Sequence, residues 1–322
     1  LRCLVGSEMC IRDSSSSDAD NTICAGDNVD FTAAPAGFDN YEFFVNGGSV
    51  QSGGSEIYST TTLADGDVVT VIATDAGCPG PPSNGIATTV NPIPTVSVSV
   101  PASTICDGDN VVFTAAPAGM DDYEFFLNGN SVQNGASDTY SSNTIVDGDA
   151  ITVIATDLGC VSALSSAVNM TVNPIPSVTV SATPDTICEG DQVIFSATPV
   201  GYDNYEFFDN AASVQNGASD TYSTTTLTAG NMITVIATDL GCASPASNAV
   251  SVIVNPIPAT DAGPDVAICT GPSTPLNASG ATTYSWSPAA GLNNPNIANP
   301  NANPATTTCL LYTSPSPRDI GE

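Results

Sequence analysis

Cys106-Asp-Gly-Asp109, Tyr123-Glu-Phe-Phe126 and Ala155-Thr-Asp-Leu-Gly-Cys160 follow one another within a single stretch of the chain, and the stretch is written three times. Cys24-Ala-Gly-Asp27, Tyr41-Glu-Phe-Phe44 and Ala73-Thr-Asp-Ala-Gly-Cys78 precede it. Cys188-Glu-Gly-Asp191, Tyr205-Glu-Phe-Phe208 and Ala237-Thr-Asp-Leu-Gly-Cys242 follow it. Matched positions stand 82 residues apart both times, with no insertion or deletion. A fixed short period marks a tandem array, an architecture suited to spacing and display.

Within the second repeat, Val96-Ser-Val98-Ser-Val100 alternates apolar and polar residues at period two, the mark of a half-buried strand. Further strands are predicted over 110–116, 122–128, 131–133, 139–142, 150–156 and 167–172, with an Asn128-Gly129 turn and an Asp147-Gly148-Asp149 turn between them. Seven short strands with turn signals every 8–12 residues predict an all-β fold of tandem Ig-like β-sandwich domains. No segment carries a sustained helical period. Alternation places Tyr123 and Phe125 in the core, and Phe126 with Glu124 on the opposite face. In the last part of the chain, Tyr284-Ser-Trp286 puts Trp286 in the slot of Phe43, Phe125 and Phe207.

Each repeat holds two cysteines 54 residues apart, which predicts intradomain disulfides Cys24–Cys78, Cys106–Cys160 and Cys188–Cys242 and an oxidising, extracytoplasmic compartment. Cys269 is left over. A zinc site lacks ligands, because the chain has no His. Asn-Pro-Ile-Pro recurs at residues 91–94, 173–176 and 255–258. Proline-x-proline linkers are short and semi-rigid, so a monomeric rod with limited bending is expected.

The two ends differ from the rest. Arg2, Arg12 and Arg318, the only basic residues, lie there with Cys3, Cys10 and Cys309. Residues 3–14 and 309–319 can be back-translated to the two strands of one oligonucleotide, read in opposite directions. That oligonucleotide resembles the adapter of transposase-based sequencing libraries. Residues 1–14 and 309–322 are therefore set aside as artefact. The remaining chain divides into repeats at 15–94, 95–176 and 177–258 and a truncated unit at 259–308.

Four of the chain's 33 acidic residues (Glu8, Asp13, Asp319 and Glu322) fall in those ends, which leaves 29 with no cation among them. Nucleic acid is excluded as a partner because phosphate contacts need Lys or Arg. An anionic membrane surface repels such a chain, and no apolar run is long enough for membrane insertion. Without His, Lys or Arg, and with no nucleophile elbow or phosphate loop, the sequence does not read as an enzyme. No organic cofactor is implied.

Calcium is the cation that clustered carboxylates would suit. The candidate ligands are Asp27, Asp65 and Asp67 in the first repeat and Asp107, Asp109, Asp147 and Asp149 in the second. The competing reading is turn chemistry, which Asp-Gly favours by itself. Thr228-Ala-Gly-Asn231 in the third repeat lacks those carboxylates and supports the turn reading. Phe44, Phe126 and Phe208 are candidate ligand contacts, since exposed rings suit sugar binding.

The Cys-x-Gly-Asp opening, Tyr-Glu-Phe-Phe, the Ala-Thr-Asp-x-Gly-Cys ending and the Asn-Pro-Ile-Pro linker together resemble Ig-like repeats of large Bacteroidota surface proteins. Asp261-Ala-Gly-Pro-Asp-Val-Ala-Ile-Cys269, with Tyr284-Ser-Trp286-Ser-Pro and Gly291-Leu292, resembles the PKD-like modules found beside them. The resemblance implies type IX secretion and an extracellular location at the bacterial cell surface. By analogy it implies a part in adhesion or gliding motility. A non-catalytic stalk is expected. The alternatives are an array that binds polysaccharide or surface proteins, or an accessory region of a secreted hydrolase.

Overall fold

A computed structural model describes residues 13–268 and 271–313, and every regular element in it is a β-strand. The chain divides into two compact units at Asn173/Pro174, inside the second Asn-Pro-Ile-Pro linker.

The first unit holds repeats 1 and 2. Repeat 1 comprises β1 (Asp13–Ser16), β2 (Thr22–Cys24), β3 (Val29–Ala34), β4 (Asn40–Val45), β5 (Gly48–Gly53), β6 (Ile57–Thr60), β7 (Val68–Asp75), β8 (Cys78–Pro79), β9 (Ile86–Ala87) and β10 (Thr89–Asn91). One sheet has the order β1-β3-β6, and the other β5-β4-β7-β8 with β9 also on β7. β2 runs parallel to β10, pairing Cys24 with Asn91. Repeat 2 has the same strands 82 residues on, from Ser97–Ser99 to Thr171–Asn173. The expected strands are all present. The strand predicted over 167–172 is split into Val168–Asn169 and Thr171–Asn173; not foreseen were Thr104–Cys106 and its parallel pairing with Thr171–Asn173.

The alternation does what period two dictates. Phe31, Phe43, Val69 and Val71 are buried in repeat 1, and Phe113, Phe125, Ile151 and Val153 in repeat 2, with solvent-side residues between them. Tyr58 and Tyr140 lie over the phenylalanines of both sheets, with Phe113–Tyr140 and Phe125–Tyr140 centroids 6.0 and 5.9 Å apart. Tyr123 is buried as expected. Its hydroxyl donates to Pro117 O (2.7 Å) and accepts from Met120 N (3.1 Å), so the chain crossing between the sheets is tied to the core. Tyr41 and Tyr205 make the same pair of bonds. A buried phenol needs such partners, because an unpaired hydroxyl there is costly.

β1 departs from its counterparts. Ser97 pairs with Ala116 and Thr179 with Thr198, yet the matched Ser15 pairs with Thr32 while Asp13 takes the place opposite Ala34. The strand is slid by two residues. Valines at 96, 98 and 100 pin the register in repeat 2 by packing on its core. The serine run of β1 offers no apolar side chain to do so, and a polar strand specifies its register weakly.

The second unit carries repeat 3, from Thr179–Thr183 to Ile253–Asn255, around its own core of Val193, Phe195, Phe207, Ile233 and Val235. Two-residue hairpin turns join the strands that carry Tyr-Glu-Phe-Phe to the next. In repeats 1 and 2 Asn46-Gly47 and Asn128-Gly129 supply the two positive φ values. Repeat 3 has Asn210-Ala211 there, with Ala211 at φ 68°. A Cβ in that region is unfavourable, so Ala211→Gly is expected to stabilise repeat 3 by about 1 kcal/mol, read as a higher urea midpoint. An unchanged or lower midpoint contradicts the assigned turn.

Beyond repeat 3, Ser285–Ser287 pairs with Leu311–Thr313 and Thr274–Pro275 with Asn301–Ala302. Trp286 is buried, as its alignment with Phe125 predicts, and its Nε1 donates to Ile297 O (2.9 Å). Gly280 (φ 82°) lies so close to Ala259 O that a Cβ would sit 1.9 Å from it, which excludes any other residue without backbone movement. Strand pairing at both ends uses residues of the segments set aside as adapter (13–14 and 311–313), since main-chain hydrogen bonds need no particular side chain.

Candidate functional site

The recurring carboxylates are bound to backbone. Asp27 Oδ2 accepts from Cys24 N (3.1 Å), Asp109 Oδ2 from Cys106 N (3.0 Å), Asp65 Oδ1 from Val90 N (3.1 Å) and Asp147 Oδ1 from Val172 N (3.1 Å). Asp67 takes Ala64 N (2.8 Å) and Asn46 Nδ2 (2.7 Å), and Asp149 takes Val146 N (2.9 Å) and Asn128 Nδ2 (2.7 Å). The bonds to Cys24, Cys106, Ala64 and Val146, each three residues back, close turns, while those to Val90, Val172, Asn46 and Asn128 tie the same turns to distant parts of the repeat. Asp107 sits exposed beside the Cys106 turn. Among the described residues no three His, Cys, Asp or Glu side chains come together to hold a metal. In repeat 3 the carboxylate has moved rather than vanished. Asn231 replaces the turn aspartate, and its Nδ2 donates to Asp209 on the neighbouring strand.

With the carboxylates so engaged, added salt should act only by screening their mutual repulsion. Calcium and sodium chlorides at matched ionic strength are expected to raise the melting temperature equally. A calcium-specific rise that saturates would establish a site the geometry does not show.

The outward aromatics are half-buried rather than free. Phe44, Phe126 and Phe208 each sit beside a β-bulge, and Phe126 is flanked by Ser131 on one side and Thr152 on the other. The extra residue of the bulge, Val132 in repeat 2, faces solvent.

The cysteines correct the expected pairing. Cys24 is bonded to Cys160 of the next repeat, across a sequence separation of 136 and a Cα–Cα distance of 5.6 Å. That bond excludes both Cys24–Cys78 and Cys106–Cys160. Cys78, Cys106 and Cys242 are disulfide-bonded as well, while Cys188 is a buried free thiol, which excludes Cys188–Cys242. Cys24 and Cys106 end β2 and its counterpart strand, outside the two main sheets of each sandwich. Cys269 lies outside the described residues.

Local geometry brings Cys160 to Cys24. In repeat 2, strand Ala150–Asp157 turns back into Cys160–Val161 through Leu158 (φ 48°) and Gly159 (φ 81°). Asp121 Oδ2 holds this hairpin by accepting from Leu158 N (2.8 Å). At the foot of repeat 1, Cys24-Ala-Gly-Asp27 makes a tight turn, and Ala25 N donates to Asn91 O (2.9 Å). Asn91 Nδ2 then donates to Leu158 O (2.9 Å), and Asn91 O lies 3.9 Å from Cys160 Sγ. The residue that opens the Asn-Pro-Ile-Pro linker thus fastens both repeats.

Residues 176–256, repeat 3, match the family model described as an Ig-like domain, CHU_C associated. No curated protein matches the chain. Among solved structures, the chain is similar to fibronectin(III)-like modules of Clostridium thermocellum CbhA at 16% identity, over 50% of this chain and 95% of that one, with a TM-score of 0.34. Chicken CNTN1 FN1–FN3 domains are 13% identical over 76% of this chain and 99% of that one, with a TM-score of 0.32. The eight N-terminal Ig domains of Down Syndrome Cell Adhesion Molecule are 10% identical over 91% of this chain and 45% of that one, with a TM-score of 0.38. The chain is all-β, with its sandwich repeated in tandem, and one of the repeats, residues 176–256, matches an Ig-like domain.

Proposed function

We propose that residues 15–308 are a non-catalytic stalk of a secreted bacterial surface protein, extending and spacing an adhesive or motility domain. The observation that carries this reading is that the recurring motifs are used up by the fold. The tyrosine of Tyr-Glu-Phe-Phe ties the sheet crossing, its first phenylalanine fills the core, and the Cys-x-Gly-Asp aspartate closes a turn. Glu42 and Glu206 accept from Ser49 and Ser213 at 2.7 and 2.6 Å. A motif kept for ligand would present groups the fold does not need. The disulfides suit an oxidising extracellular compartment.

The binding-array alternative, with polysaccharide or a surface protein as partner, rests on Phe44, Phe126 and Phe208. A variant with all three changed to Ser separates the two. For a stalk, the intact chain and the variant show the same background retention on extracellular polysaccharide. Saturable binding by the intact chain that the variant loses would make the array a binder.

A further inference from the structure

We propose that the disulfide from Cys24 to Cys160 makes repeats 1 and 2 one mechanical link, so that tension along the chain bypasses the aromatic cores of both sandwiches and the linker between them. A pull at the N-terminal side reaches Cys24 at the end of β2. It then crosses to Cys160 over 5.6 Å between Cα atoms and leaves through the last strands of repeat 2. The residues from Ala25 to Gly159 form a covalent loop outside the path of the force. That loop contains both aromatic cores and the whole Asn91-Pro-Ile-Pro94 linker.

The intradomain pairing of an Ig sandwich protects something different. It would shield the strands inside each repeat and leave the linker, with everything from Cys78 to Cys106, to extend under load. The inter-repeat bond protects the weakest segment of a tandem array, the connection between domains. Two further contacts indicate a built junction. Asn91 Nδ2 holds the carbonyl of Leu158 at the tip of the incoming hairpin, and Asp121 fixes the same hairpin from within repeat 2. The hairpin is short, with a left-handed turn at Leu158-Gly159, so Cys160 is presented at a fixed place rather than on a loose loop.

This inference gives a mechanical role to the stalk reading and rests on it for its biological use, but its test is independent of that reading. The full chain carries p-azidophenylalanine at Ala19 and at Ser166, both exposed, as attachment points for single-molecule stretching. Without reductant, the laced path is five residues to Cys24, the bond, and six residues from Cys160. The extension should stop at about 4–5 nm however high the force. With reductant the same molecules should lengthen to about 50 nm. A limit of about 15 nm without reductant is what intradomain pairing gives, with the linker extended, and would overturn the proposal. Full extension without reductant would overturn it as well. Either failure leaves the stalk reading to be decided by the polysaccharide comparison.

Discussion

Replacing Cys24 by Ser is expected to destabilise repeats 1 and 2 together, and replacing Cys160 by Ser in the same chain is expected to cost nothing more. Closing a 136-residue loop stabilises by about 5 kcal/mol on the chain-entropy argument, an upper figure if the reduced chain keeps residual structure. Because the two sulfurs form one bond, the second substitution removes a partner already lost, and the double-mutant cycle is strongly non-additive. Cys24→Ser with Cys78→Ser is the control. Each residue belongs to a different disulfide, so both costs appear. Non-reducing urea unfolding of the single and double variants measures this. If the Cys24/Cys78 pair were the non-additive one, the bonds would lie within repeats.

Phe125→Ala is expected to cost about 3–5 kcal/mol in the unfolding free energy of repeat 2, the usual range for a large aromatic emptied from a packed core. Phe125 is fully buried, and it meets Tyr140 across the sandwich beside Phe113. Phe126→Ala removes a ring of the same size one residue later, yet it should cost much less. That ring lies on the outer face beside the bulge and is only half-buried. The comparison holds residue type and strand constant, so burial alone separates the two. Equal losses would mean that the outer face packs against something the two sheets do not provide.

The contrast between neighbouring phenylalanines also shows what the sequence carries. Period two is a local signal, repeated over strands of six to eight residues, and it places Tyr123, Phe125 and Val153 inward without knowledge of the partner strand. The parallel pair of Thr104–Cys106 with Thr171–Asn173 has no such signal. Thr104–Cys106 is three residues long and lies far from Thr171–Asn173 in the chain, so although a strand is predicted over 167–172, neither alternation nor a turn dipeptide announces the pairing. That same short pair is the foot on which the first cysteine of each repeat stands. Missing it hides the reason why the cysteine faces a neighbouring repeat.

Cysteine arithmetic had no means of choosing. In an exact repeat both spacings recur, 54 within each of the three units and 136 from each of the first two units to the next, and recurrence alone does not say which is bonded. The decision comes from the hairpin at Leu158-Gly159 and from Asn91 at the mouth of the linker, both of which act across the junction. Asn91 was visible only as part of a linker motif, and its side-chain bond to Leu158 could not be read from composition or spacing. The carboxylates show the opposite case. Asp-Gly in a turn already predicts a bond from the carboxylate to nearby backbone, and the structure adds the partners.

The most direct test of the inter-repeat bond is peptide mapping of the unreduced protein after cleavage before aspartate. Cys24 then lies alone in the peptide 20–26 and Cys160 alone in the peptide 157–184, while Cys78 and Cys106 share the peptide 75–106. Mass spectrometry is expected to find 20–26 joined to 157–184. Finding 20–26 and 157–184 each joined to 75–106 instead would contradict the account, returning the disulfides to the interior of each repeat and leaving the linkers to bear the load.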